Sequence, residues 1–207
     1  MIVAVDGPTA SGKGTIARAL AVHFGLPHLD TGLLYRAVGR QVMLDRGDPD
    51  NEADALAACQ FPDALLADPE LRTEVSGGLA SRVSIHPRVR QALYERQRKF
   101  ATQPGGAVLD GRDIGTVIAP EAEVKLFVVA SVEKRAERRF TELIQAGRDV
   151  SLDAIAADLA ARDERDTNRK DAPLVAAVDA ITLDTSEIGR DEAVAQAIAI
   201  VERRMRS

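Results

Sequence analysis

Short aliphatic runs alternate with longer amphipathic ones along this chain. Ile2–Asp6, 107–110 and Val124–Val129 are rich in Val, Leu, Ile and Ala. Runs of that length and composition suit strands buried on both faces. Residues 27–30 and 180–183 read as two further short strands. The segments between them carry a helical period. Leu34, Val38 and Val42 stand at i, i+4 and i+8, so the spacing predicts a helix over 33–46 with one apolar stripe. Residues 15–24 predict a helix directly after the first strand, and 191–205 a last one. Ser131 can cap another helix over 132–145. Strands alternating with helices imply an α/β domain, here a parallel five-stranded sheet flanked by helices.

Two stretches break the rhythm. Residues 48–70 contain seven acidic side chains and no Lys or Arg, whereas 82–99 contain six basic side chains and one acid, Glu95. Charge runs are usually solvated faces. The sharper alternative is an inserted subdomain with a basic helix turned toward a substrate. A further helix changes character along its length. Leu152, Ile155 and Leu159 form an apolar stripe that continues as Arg162, Asp166 and Arg169, with Arg165 on its edge. The apolar half is expected to anchor this helix, and the charged half to project arginines over a cleft. Residues 162–171 are polar enough to be expected mobile until a ligand orders them.

Composition narrows the partners. There is no Trp and only two Tyr among 207 residues, too few aromatics for a single-strand stacking platform. The net charge of −5 also argues against general nucleic-acid binding, so any phosphate recognition must be local. Cys59 is the single cysteine, which rules out an intramolecular disulfide and fits a reducing compartment. The opening residues are too short and uncharged for a signal peptide, and no apolar run approaches the roughly 18 residues of a membrane helix. The expectation is a soluble, monomeric, cytoplasmic protein without membrane or nucleic-acid partners.

The candidate chemistry begins at Gly7-Pro8-Thr9-Ala10-Ser11-Gly12-Lys13-Gly14-Thr15. A glycine-rich loop between a strand and a helix aims successive N–H groups, and the positive end of the helix dipole, at a polyphosphate. Lys13 would reach its outer phosphates. Gly14 stands where Ser or Thr is usual, and the hydroxyl comes one place later at Thr15, so Thr15 would meet Mg²⁺ directly or through water. Asp110, ending an apolar run, is a second candidate for organising Mg²⁺. A second anion site is expected where Thr31 caps a helix and Arg36 forks onto the same anion. Arg112 and Asp113 follow the end of a strand, the edge at which open α/β sheets bind ligands.

Five blocks in this order and spacing resemble bacterial cytidylate kinases: DGPTASGKGT at 6–15, DTGLLYR at 30–36, ASRVSIHPRVRQALYERQRKF at 80–100, LDGRDIGTV at 109–117 and RDERDTNR at 162–169. The resemblance implies a P-loop kinase fold with a short insert for the nucleoside monophosphate and a lid. It implies one kinase domain with a core of 1–36, 101–150 and 172–207, an insert at about 37–100 and a lid at about 151–171. The implied reaction is ATP + CMP → ADP + CDP, with dCMP as a further acceptor. Lys13, Arg112, Arg162 and Arg169 are the implied catalytic charges. Thr31, Arg36, Arg112 and Arg169 would hold the CMP phosphate, Arg162 and Asp166 the ribose, and Ser81, Arg90 and Asp113 the cytosine, with Tyr35 also among the substrate-binding residues. Arg135 and Arg139 would pack against ATP. Members of the family usually carry a longer insert with its own small sheet between Arg36 and Ser81; here that region is short, acidic and reads as mostly helical. Other readings of the same residues are a kinase of UMP or of a hydroxyl-bearing metabolite, and a nucleotide-binding switch.

Overall fold

The computed structural model describes residues 1–206. Five strands, β1 (Ile2–Asp6), β2 (His28–Asp30), β3 (Ala107–Gly111), β4 (Val124–Val129) and β5 (Ile181–Asp184), form one sheet in the order β2-β3-β1-β4-β5. Every pairing is parallel, as the alternation of short aliphatic runs with helices requires. β1 is central, so its carboxyl end opens between the ends of β3 and β4.

Helix α1 (Lys13–Phe24) starts two residues earlier than its apolar pattern suggests, because the glycine loop feeds it without a linker. It packs on one face of the sheet with α8 (Arg190–Arg206), sharing a core with Val3, Val5, Leu126 and Val128. The other face is closed by α5 (Pro87–Ala101) and a π-helical turn at Ile114–Ile118 around Ala4, Leu109 and Ile114. A third cluster lies off the sheet. It joins α2 (Thr31–Leu44), α3 (Glu52–Ala57), α4 (Glu74–Val83) and α5 around Leu34, Val38, Val42, Phe61 and Leu71. Three 3₁₀ turns, Ala58–Gln60, Asp63–Ala67 and Pro69–Arg72, complete this region, which is helical as expected.

The opposite charge runs meet in that third cluster. Arg82 pairs with Asp48 and Asp50, Arg96 with Asp63, and Glu52 accepts the Arg88 N–H. Most of these groups are exposed, where each pair is worth about 0–1 kcal/mol. The runs therefore form solvated faces turned toward each other, and Arg90 alone among these basic residues reaches the cleft described below. Helices α6 (Val132–Gln145) and α7 (Leu152–Asn168) pack against each other, and Ser131 caps α6 as expected. Among the described residues no helix is long and apolar enough to cross a membrane.

Candidate active site

The loop between β1 and α1 is shaped by two glycines. Gly7 has φ 151°, and a Cβ there would lie 2.0 Å from the Val128 carbonyl oxygen, so no side chain fits. Gly12 has φ 89° at the start of α1, in the left-handed region that favours glycine. The free N–H groups of the first turn therefore open toward the cleft. Lys13 Nζ donates to the Pro8 carbonyl at 3.1 Å, folding over the loop it follows. Burial, and then Arg112 beside it, pulls the Lys13 ammonium down to about 7. Ser11 Oγ is buried with no hydrogen-bond partner. A site that holds a buried amine whose charged form an anion would favour, beside an orphaned hydroxyl, is suited to an anion with several acceptor oxygens.

Two cavities meet at this loop. One, of about 360 Å³, extends over the ends of β2 and β3 toward α4 and α5. The other, of about 480 Å³, extends over α1 toward α6 and α8. Lys13, Gly14, Arg36, Arg139 and Arg162 line both. Their shared wall is thus cationic, and a group passing from one cavity to the other would cross it.

In the first cavity the helix α2 is capped by Asp30, whose carboxylate accepts the Leu33 N–H at 3.2 Å. Thr31 was expected as the cap; instead it begins the helix, and its hydroxyl donates to the Asp110 carbonyl at 2.8 Å. Asp30 wins because the cap must precede the helical backbone and its own conformation is extended. Arg36 lies in the second turn and donates to the carbonyls of Leu71 and Thr73 at 2.8 and 3.0 Å. Arg112 bridges the glycine loop and α7, donating to Thr9 Oγ1 at 2.6 Å and to Asp166 Oδ2 at 2.8 Å. Burial pushes the Asp166 carboxyl up, but Arg112, Arg169 and Arg162 outweigh it and hold the group below its ordinary value. Asp113 pairs with Arg90, and Arg90 lies 5.8 Å over the Tyr35 ring. Arg169 Nη2 lies 3.9 Å from Asp113 Oδ1 and, although buried, has no hydrogen-bond acceptor. Ser81 accepts from Arg165 Nε at 3.1 Å, which joins α4 to α7.

Arg135 lines neither cavity: only 3% exposed, it holds Asp163 through both terminal nitrogens at 3.1 and 2.5 Å and donates to the Thr9 carbonyl at 3.1 Å, behind the glycine loop. In the second cavity Arg139 pairs with Glu74 and Glu142. Glu74 also faces Arg162 at 3.6 Å. The helix α7 is anchored along both halves of its stripe. In the apolar half Leu159 is buried and Ile155 half-buried, although Leu152 is 40% exposed; in the charged half Arg162 and Asp166 are 5% and 6% exposed. Arg162 and Arg169 are turned into the cleft as expected, and the ion pairs of Arg162 add to the anchoring.

Three side chains in this neighbourhood were given no role by the sequence motifs, although Asp6 opens the first block. His28 Nε2 lies 2.7 Å from Asp110 Oδ1. Asp6 is buried beside Lys13 and Asp113. Glu74 spans the arginines of two helices. A weak signal existed for Asp6, a carboxylate ending an otherwise apolar strand, and for His28, two residues before Asp30 and so on the same strand face.

The fold and the cleft define an α/β domain of the P-loop kind, with a cationic wall between two cavities. The chain matches the family model for cytidylate kinase over residues 3–203. It is 57% identical to the cytidylate kinase of Xanthobacter autotrophicus over 205 residues, covering 99% of this chain and 98% of that one. It is also 57% identical to the cytidylate kinase of Azorhizobium caulinodans over 204 residues, covering 98% of each. A solved structure of an uncharacterized protein from Eubacterium ventriosum superposes with TM-score 0.57 at 14% identity over 98% of each chain, a likeness of fold alone. The chain belongs to the cytidylate kinase family.

Proposed function

We propose that the chain transfers the γ-phosphoryl group of ATP to CMP, and to dCMP, as a soluble cytoplasmic monomer. The observation that carries the reading is the cationic wall shared by the two cavities, in a chain of this family. ATP would lie in the cavity over α1, with its phosphates on the loop 7–15 and its nucleoside near Arg135 and Arg139. CMP would lie in the cavity over β2 and β3. Its phosphate would meet Thr31, Arg36, Arg112 and Arg169, its ribose Arg162 and Asp166, and its base Ser81, Arg90 and Asp113. Tyr35 would support Arg90 from below.

The transfer needs positioning and charge stabilisation more than covalent chemistry. The acceptor phosphate is already largely ionised near neutral pH, since a phosphomonoester's second pKa is about 6, so no strong base is required. Lys13, Arg112, Arg162 and Arg169 would hold the reacting phosphates in line and balance their charge. Residues 151–171 would act as a lid and about 37–100 as the acceptor-binding insert, on the core formed by the remainder.

Mg²⁺ ordinarily sits on one or two carboxylates together with substrate phosphates. The residues fit such an ion: one oxygen of Asp110 is held by His28, and the other faces Gly14, 3.4 Å from where a Cβ there would be. Asp110 and the Thr15 hydroxyl would hold it, directly or through water, and when bound it would neutralise phosphate charge. Among the described residues no cluster of three or more His, Cys, Asp or Glu side chains forms a separate metal site.

A coupled assay of ADP formation with CMP, dCMP, UMP and AMP tests the reading. Sustained turnover with CMP well above UMP and AMP is expected. ATP hydrolysis indifferent to CMP would overturn it, and faster turnover with UMP would move the assignment to another acceptor.

A further inference from the structure

We infer that Asp6 is a positioning residue for the acceptor base: it caps the π-helical turn Ile114–Ile118 from a neighbouring strand and thereby keeps the Asp113 carboxylate free to face the cleft. The inference rests on the proposed role of Asp113 in reading cytosine.

The geometry is unusual among the caps of this chain. Asp30, Asn51, Thr73, Ser131 and Ser151 each cap the helix that they themselves begin. Asp113 occupies the corresponding position before the π-helical turn, yet it makes no capping hydrogen bond. Aspartate is among the residues best suited to capping, so its failure to do so needs a cause. The cause is Asp6. Its Oδ1 accepts the Ile114 N–H at 2.8 Å and its Oδ2 the Gly115 N–H at 2.8 Å. The first two free N–H groups of the turn are then taken, and the Asp113 carboxylate goes to Arg90 and Arg169 instead.

Asp6 is well placed for this. It ends β1 directly opposite Gly111 of β3, one residue before the segment Arg112–Asp113 leaves the sheet. It also immediately precedes Gly7, where the phosphate loop begins. One side chain therefore fixes the turn that carries Arg112 and Asp113 to the strand that carries the loop. The arrangement is not a default of packing. Burial pushes the Asp6 carboxyl up to about 7 despite the two N–H bonds, with Asp113 adding to the rise and Lys13 opposing it. An apolar residue would avoid that cost but would leave two N–H groups for Asp113 to satisfy.

The test is a double-mutant cycle with Asp6→Asn and Asp113→Asn, reading kcat/KM for CMP and for UMP and KM for ATP. Asn at position 6 has one acceptor oxygen, so one of the two N–H groups is orphaned whichever way the amide lies. A buried orphan of this kind costs enough to draw Asp113 toward the turn. Asp6→Asn is expected to lower the CMP/UMP ratio of kcat/KM about 10-fold, mainly through KM for CMP, with KM for ATP little changed. In the Asp113→Asn background the same change should leave the ratio nearly unaltered, because the group it positions is gone. Equal losses for CMP and UMP, or effects on the ratio that simply add, would overturn the inference. An Asp113→Asn single variant with an unchanged ratio would overturn the base-reading role and the inference with it, and is distinguishable from the other failures because Asp6 is then wild type. Should Asp6→Asn not fold, Asp6→Ser also retains a single acceptor and is read by the same ratios.

Discussion

Nucleotide binding should take up a proton, and Lys13 should be the group that takes it. In the free protein burial and the neighbouring Arg112 pull the Lys13 ammonium down to about 7, against Asp110, Asp30 and Asp166, which favour the charged form. At pH 8 about nine-tenths of such a group is neutral, whereas an ordinary lysine near 10.4 is charged. A polyphosphate on the loop restores the charged form, since an anion at this range favours the ammonium. The sign follows directly. Binding is coupled to protonation above about pH 7, so ATP affinity is greatest below that value and falls as pH rises, by up to tenfold per unit. The measurement is titration calorimetry of ATP at pH 8 in two buffers of different ionisation enthalpy. The expected uptake is about 0.9 proton per ATP bound. Asp6, pushed up to about 7, lies close enough to contribute, so Asp6→Asn and Lys13→Met are measured alongside. Uptake should survive the first change and vanish with the second. No uptake in the wild type, or the same uptake in Lys13→Met, would refute the reasoning.

Lys13→Ala should cost turnover on the order of 10²-fold or more, comparable to deleting one preorganised charge donor, while a thermal melt stays near the wild type. Asp113→Asn should narrow the preference for CMP over UMP, which in the wild type should be at least about 10²-fold. A carboxylate only accepts and an arginine only donates, so Asp113 with Arg90 matches the amino group and N3 of cytosine and opposes the uracil edge. Two such mismatches at about 1–3 kcal/mol each set that figure; parallel kcat/KM values for both acceptors check it. Amide hydrogen exchange over residues 162–171 should slow when ATP and CMP are both present, because their phosphates tie the arginines of α7; equal exchange in the two conditions would count against a lid.

The sheet was legible because its evidence is local. Runs such as Val124–Val129 are too short and too aliphatic to be anything but buried strands, and the structure gives that strand the same bounds. The glycine loop was legible because Gly7 and Gly12 satisfy backbone requirements that few other residues meet. What escaped depends on distances between segments far apart in the chain. Nothing local says that Asp30 rather than Thr31 caps α2, since both are good caps and only the backbone conformation chooses. Nothing local pairs His28 with Asp110 across 82 residues or Asp6 with Gly115 across 109. The deep burial of Arg162 and Asp166 in α7 escaped for a related reason: periodicity marks an apolar face as inward, and it has no rule for charged side chains that are buried because opposite charges from elsewhere accompany them.

That accompaniment gives the acids of the cleft a purpose. A buried guanidinium without a counter-charge is strongly destabilising, and the cleft collects many of them. Each has found a partner. Arg112 holds Asp166, Arg135 holds Asp163, Arg139 and Arg162 share Glu74, Arg162 also faces Asp158, and Arg90 and Arg169 share Asp113. Arg36, pulled down by burial and by Arg162, takes two backbone carbonyls instead. A carboxylate carries one charge and offers two oxygens, and two of these acids, Glu74 and Asp113, each serve two arginines. A phosphate group offers three oxygens and up to two charges, so it can replace a shared carboxylate with a net gain in hydrogen bonds. The mixture of acid and base along residues 162–169 then serves the proposed site. Asp163 and Asp166 accompany Arg135 and Arg112 of other elements, and Arg162 and Arg169 are accompanied by acids outside the segment. A phosphate can compete where one carboxylate is shared between two arginines.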